Sequence, residues 1–446
     1  MHLSKNKKYQ YSFFFFILIY SIFNGGNSNL LIQINFLLIS NFYIICLRDK
    51  NYSLHFRYFI KNNRNSVYFY ILFLLYLLFQ ILPLPIELLK FFSPEKYIYL
   101  TTLSSDFKYS SISLAPSNSF FQLLNFCSLL ILVFILKMIF YQERHKNRLY
   151  LFLSFIGFLS ALIATFLYLS GNTDILSFKS FNSSSASTGF FVNRTVFSIF
   201  LLFCLISSLE YLGNSKNIKD KIITCIYVRL FIVFITIGLI TTFSRIGNFL
   251  LLNTMLFYMV NEILLKKEKK NIFRNIILII IIIDVFVLGV YFGSSRIIDR
   301  FSFLHDDFAQ INNTEVNFSR FQVIKFAFNQ LYHYLFFGYG PGSFEILFQI
   351  NFPDLTNKYA NHAHSDLIQF IGEFGLIGFT LILSSLLFSR INKNFSILKN
   401  FLLLYLLLFI LIFDFSLHIP IVQLLFVLLI SIDYKKTENS EYSINN

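Results

Sequence analysis

Apolar runs of about 20 residues recur along the whole chain with short polar segments between them, and this pattern predicts helices long enough to cross a hydrocarbon layer about 30 Å thick. Hydropathy and loop composition together place twelve spans, near 11–23, 29–47, 66–84, 119–140, 149–170, 190–212, 223–242, 247–264, 272–292, 367–389, 400–413 and 417–433. The fold class that follows is an all-α polytopic membrane protein, with residues 1–446 forming a single integral membrane domain and 434–446 a short tail. Lys5, Lys7 and Lys8 precede Tyr11–Phe23 in the manner of a signal peptide. A small-x-small cleavage site is missing, so the segment reads as an uncleaved first span. Two polar stretches are long, 85–118 and 293–366, and loops of that length in a compact protein usually serve function. Inside the second, the residues from Arg320 to Phe328 alternate in a way that predicts an amphipathic helix over about 320–336.

Composition closes off the other classes. With 56% hydrophobic and only 13% charged residues, the chain is not an ordinary soluble protein, in which roughly a quarter of residues are charged, nor is it disordered or collagen-like. The 61 Phe and absence of Trp fit an AT-rich genome better than any activity. The net charge of +14 is mainly a topology signal. With the N-terminus inside, most Lys and Arg fall in short inner segments such as 48–64, 137–148, 216–229 and 266–274, which places both termini in the cytoplasm. A nucleic-acid footprint would need one basic face, and these charges are dispersed. Cys46, Cys127, Cys204 and Cys225 lie in or beside apolar runs without a Cys-x-x-Cys pair or Cys/His cluster and read as packing residues. All seven prolines fall in outer loops or at outer span edges, so any chemistry belongs on the outer face.

On that face four residues stand out. Arg194 follows Asn193 at the start of the sixth span, Arg245 follows Ser244 in a tight turn, Arg320 opens the amphipathic stretch, and His364 lies just before the tenth span. Taken singly, an arginine at a span end is an interfacial anchor and a histidine at a helix start is a cap. Together, three arginines on the side where basic residues are disfavoured, beside Ser, Thr and Asn, suit a phosphate-bearing substrate presented from the bilayer. His is the side chain able to take a proton from a hydroxyl near neutral pH. Asp366 or Glu373 would orient the other ring nitrogen or hold the local backbone, and Ser365 is a further neighbour. Gly338-Tyr339-Gly340-Pro341-Gly342 lacks the Gly-Lys-Ser/Thr ending of a phosphate loop and reads as a turn that ends the amphipathic helix. The run Gly372–Gly378 predicts close packing of the tenth span, and Asp284, the one acid deep in a span, a polar contact between helices.

The series Leu82-Pro83-Leu84-Pro85, Gly189-Phe190-Phe191-Val192-Asn193-Arg194, Ser244-Arg245, Arg320 with Phe336–Phe344, and Ala363-His364-Ser365-Asp366 with Gly372–Gly378 resembles the O-antigen ligase and O-antigen polymerase superfamily over about residues 70–430. The resemblance implies a GT-C-like glycosyltransferase of a bacterial inner membrane, active on the periplasmic side without metal or other cofactor, with an undecaprenyl-diphosphate-linked glycan as donor. Lipid A-core or a growing polysaccharide would be the acceptor. It implies that Arg245 and Arg320 bind the diphosphate, that Arg194 is a further cavity residue, and that His364 is the base at the acceptor. The family often has Asn directly after that His, where Ser365 stands here. The absence of a C-terminal soluble domain disfavours a protein-modifying member. A lipid-linked sugar transporter would place ionisable groups and broken helices at mid-membrane in paired halves, whereas the charges here gather at one face.

Overall fold

The computed structural model describes residues 2–22, 28–103, 107–140, 143–170, 186–214, 222–260, 320–352, 360–389 and 397–432. In chain order these form α1 (His2–Ile22), α2 (Asn29–Leu47), α3 (Lys50–Asn62), α4 (Arg64–Ile81), strand β1 (Leu84–Pro85), α5 (Ile86–Phe92), α6 (Pro94–Leu103), strand β2 (Tyr109–Ser110) and α7 (Pro116–Ile139). There follow α8 (Glu143–Ser170), α9 (Arg194–Asn214), α10 (Ile222–Ile240), α11 (Arg245–Val260), α12 (Arg320–Tyr334), α13 (Phe344–Asn351), α14 (Asp366–Leu387), α15 (Ile397–Phe413), a 3-10 turn (Ser416–His418) and α16 (Pro420–Ser431).

Among the described residues, α2, α4, α7, α8, α9, α10 and α14 are long and apolar enough to cross a membrane, while the Ser12–Ile22 part of α1 and α11, α15 and α16 are shorter apolar helices. Each expected span thus falls on a helix except the ninth, 272–292, which with Asp284 lies outside the described residues. Bare apolar side chains on the outward faces, such as Leu75, Ile223 and Phe401, suit lipid and would not suit water. The chain is a multi-pass membrane protein. At its centre runs α9, buried almost without interruption from Thr195 to Leu212 against α8, α10, α11 and α16. The search for long apolar runs passes over α3, whose Lys50, His55, Arg57 and Lys61 make it an amphipathic helix. Pro94, Pro116 and Pro420 each open a helix, the position where a missing N–H leaves no bond unmade. For the same reason the last helix begins at Pro420 and not at Leu417, and His418 falls in the turn before it.

The described parts of the two long polar stretches are structured. Residues 84–110 fold into α5, α6 and an antiparallel pairing of Leu84 with Ser110 and Pro85 with Tyr109. The buried Lys96 ammonium pins this segment by donating to the carbonyls of Ser111, at 2.7 Å, and Ser113. In the second stretch α12 presents Val323, Phe326 and Ala327 to Phe344, Leu347 and Phe348 of α13. The two stretches meet where Tyr99 donates to Asn351 Oδ1 at 2.8 Å and His333 lies 2.7 Å from Glu95. They form a layer over one end of the bundle, held to α14 through α12.

The tenth span departs from expectation. It is two helices in line, broken at Gly375 with φ 64° and ψ 174°. The break frees the carbonyls of Gly372 and Glu373 and the amides of Leu376 and Ile377, and all four are bonded by the segment after α12. Tyr339 N donates to Gly372 O at 2.9 Å, Gly340 N to Glu373 O at 3.0 Å, Leu376 N to Leu335 O at 2.7 Å and Ile377 N to Phe336 O at 3.4 Å. Non-helical backbone in a spanning segment survives only where protein satisfies it in this way. The approach is tight: a Cβ on Gly375 would lie 2.2 Å from Phe336 O, and one on Gly338 (φ 70°) 2.3 Å from Glu373 O. The 338–342 turn therefore follows the end of α12 at Tyr334 and also splices a broken helix.

Candidate active site

Arg194, Arg245 and Arg320 are each the first residue of a helix, α9, α11 and α12 respectively. Local sequence puts them there. Asn193 caps α9, its Oδ1 accepting from Thr195 N at 2.7 Å, and Ser244 caps α11, its Oγ accepting from Gly247 N at 3.1 Å. The expected neighbours Asn193 and Ser244 thus act on helix ends that carry arginines. Phe243, held at φ 48°, completes the sharp reversal from α10 into α11. Gly247 brings α11 onto α9, since a Cβ there would lie 2.2 Å from Ser198 Oγ. The result is a polar cavity of about 100 Å³ lined by Arg194, Thr195, Ser244, Arg245, Ile246 and Arg320. Three guanidinium groups and three helix N-termini face one small volume, an arrangement that favours an anion through both full charges and backbone dipoles.

His364 sits in the turn before α14 with a positive φ of 58°, its ring edge-on to Phe415 at 5.2 Å between centroids. Burial, and then the charge of Arg320, lower its pKa to about 4, so at neutral pH the imidazole is unprotonated and able to accept a proton. His362, stacked on Phe415 at 4.8 Å, is lowered to about 3 by burial and by His418 and His364. Burial raises the Asp414 carboxyl to about 7, against the Ser416 hydroxyl that donates to it and the charge of Arg320. Arg320 thus connects the two halves of the site: it lines the anion cavity, and its charge is felt at both His364 and Asp414.

Of the two roles expected for the acidic residues near His364, holding local backbone is the one that Asp366 fills. Asp366 and Glu373 do not orient the His364 ring; both engage His418, a residue that sequence reading passed over. Asp366 Oδ1 bonds His418 Nδ1, and Glu373 Oε2 lies 3.4 Å from Nε2 of the same ring. Asp366 also holds backbone, its Oδ2 accepting from Leu417 N at 2.7 Å. The Ser365 hydroxyl reaches the Leu411 carbonyl at 3.4 Å, which ties the His364 turn to α15. His418 and Asp414 carried no usable local signal, because a single His or Asp beside an apolar run says nothing of a partner about fifty positions away, and Gln369, whose partners Ala363 and Glu373 are close in sequence, reads as an ordinary polar residue at a helix start.

Beside Arg320 an apolar groove of about 290 Å³ runs along α12, lined by Phe321, Gln322, Ile324, Lys325, Phe328 and Ile368. Among the described residues no group of three or more His, Cys, Asp or Glu is placed to hold a metal ion. A search of curated proteins finds no match. Residues 230–383 match the O-antigen ligase family model, a stretch that includes Arg245, Arg320, His364, Asp366, Glu373 and the Gly375 break. Through this segment, which carries two of the three cavity arginines and the histidine that feels the charge of Arg320, the chain is similar to the O-antigen ligase family.

Proposed function

We propose that the protein is a metal-independent glycosyltransferase of a bacterial inner membrane that moves a glycan from undecaprenyl diphosphate to a hydroxyl of lipid A-core on the periplasmic face. The observation that carries this reading is the cavity in which Arg194, Arg245 and Arg320 meet at three helix N-termini, with His364 under the charge of Arg320. The diphosphate of the donor occupies the cavity, and the polyprenyl chain lies in the apolar groove along α12. His364 takes the proton of the acceptor hydroxyl as its oxygen attacks the anomeric carbon. The bond from that carbon to the diphosphate oxygen breaks, the configuration inverts, and the arginines neutralise the leaving diphosphate. A diphosphate is already a competent leaving group, so the residues present suffice for the step.

The test is transfer by full-length protein in proteoliposomes containing undecaprenyl-diphosphate-linked glycan and lipid A-core. His364→Ala is expected to lower turnover by about 10²–10⁴-fold, with insertion and donor binding retained. A His364→Ala protein that transfers normally would overturn the assignment. Transfer to a second lipid-linked glycan in place of lipid A-core would keep the chemistry and make the protein a polymerase.

A further inference from the structure

Among the described residues, one fully buried charge cluster has no part in the step described above. His418, Asp366 and Glu373 are 6%, 0% and 1% exposed, which leaves no solvent to steady any of them. We propose that His418 is a positioning residue for glycan transfer, fixing the turn that carries His364 through Asp366 on one side and Glu373 on the other; the proposal rests on His364 being the acceptor base.

His364 needs such support. A side chain other than glycine at φ 58° costs on the order of 1–3 kcal/mol and persists only where its surroundings over-determine it. Both flanks are tied. On the upstream flank, Ala363 N donates to Gln369 Oε1 at 2.9 Å. The Gln369 amide is held the right way round because its Nε2 donates to Glu373 Oε1 at 2.8 Å, and the second oxygen of Glu373 faces His418 Nε2. On the downstream flank, Asp366 N donates to Asp414 O at 2.8 Å, while the Asp366 carboxylate receives Leu417 N and His418 Nδ1. The two nitrogens of one ring therefore reach both flanks of the His364 turn. The plane of that ring is set by Phe370, stacked at 4.0 Å between centroids and 19° between planes.

The charges fit the same role. Two carboxylates buried without a cation would be expelled or protonated. Burial by itself would lower the His418 pKa, but Asp366 and then Glu373 raise it to about 10, so the ring stays an imidazolium at neutral pH. Because it is a planar cation with nitrogens on opposite sides, His418 sits between two carboxylates about two turns apart on α14, bonded to Asp366 and 3.4 Å from Glu373.

The experiment is a double-mutant comparison in proteoliposomes with undecaprenyl-diphosphate-linked glycan as donor, reading kcat, donor KM and the thermal unfolding midpoint. His418→Gln is expected to lower kcat by about 10²-fold, the cost of a misplacement near 1 Å, with donor KM unchanged. Combined with His364→Ala it is expected to add nothing further, since both changes act through one group. Gln369→Leu, which leaves every charge in place and cuts the links to Ala363 and to Glu373, is expected to lower kcat in the same direction. It carries the comparison if His418→Gln does not insert. Unaltered kcat in the variants, or losses that multiply with that of His364→Ala as a general stability defect would, overturn the positioning role. An inactive His364→Ala protein beside a normal His418→Gln protein refutes this role alone. A fully active His364→Ala protein refutes the base assignment and this proposal with it.

Discussion

At the scale of single residues, the anion cavity and the histidine separate two kinds of effect. Arg245→Lys keeps the charge but loses the planar fork that spans two phosphate oxygens. We expect donor KM to rise about 30-fold, equivalent to about 2 kcal/mol, with little change in kcat, measured by donor titration. His364 behaves oppositely and gives a pH signature. Its pKa is lowered to about 4, so the base form persists well below neutrality. The acid limb of kcat/KM is therefore expected near pH 4, whereas an unperturbed imidazole would place it near pH 6.5. A limb near 6.5 would mean that the group is solvated and far from Arg320. Arg194, Arg245, Arg320 and His364 stand out in the chain by residue type, and Arg194 and Arg245 each follow a polar cap. His418 does not, because its meaning depends on Asp366, which only the fold brings near, and Gln369 reads as an ordinary polar residue at a helix start.

At the scale of elements, the break in α14 is the feature that pattern reading missed. Gly372, Gly375 and Gly378 look like a small-residue seam, and in part they are one, since a Cβ on Gly378 would lie 2.8 Å from the Tyr76 ring. The φ of 64° at Gly375 comes from the hydrogen bonds made by residues 335–340, which no local propensity encodes. Gly375→Ala places a methyl group 2.2 Å from a carbonyl oxygen and adds left-handed strain. A loss of roughly 2–3 kcal/mol is expected, read as a lowered unfolding midpoint in detergent. Caps offer a milder probe of the same end of the bundle. Ser244→Ala removes the bond to Gly247 N and is expected to cost about 1 kcal/mol while also raising donor KM, because Arg245 rides on that helix end.

At the scale of the whole molecule, the spans alternate so that the starts of α9, α11 and α14 share one end, and that end carries the arginines, His364 and the layer of α5, α6, α12 and α13. The opposite end is braced by lysines: the Lys137 ammonium donates to Ser431 O, and Lys399 to Leu429 O at 3.1 Å, so two cations cap the C-terminus of α16. The sidedness is testable with two single cysteines. Tyr332, 86% exposed on α12, and Gly213, whose Cβ would meet nothing within 4 Å, lie at opposite ends. A membrane-impermeant maleimide is expected to label Tyr332→Cys, but not Gly213→Cys, from the periplasmic side of sealed cells. That the chain crosses a membrane several times was legible because lipid imposes a length on every spanning helix. The order in which their ends gather around one cavity was not, because that is decided by side-chain packing along α9.

The splice at Gly375 also imposes an order on biogenesis. Lipid offers no donors or acceptors, so the broken α14 is acceptable to a membrane only once residues 335–340 are there to meet its four free backbone groups, two on either side of Gly375. Those residues leave the ribosome first. The chain is thus arranged so that the partner segment is already made when the broken helix arrives, and a fragment starting at residue 360 would enter the bilayer with four unmet bonds.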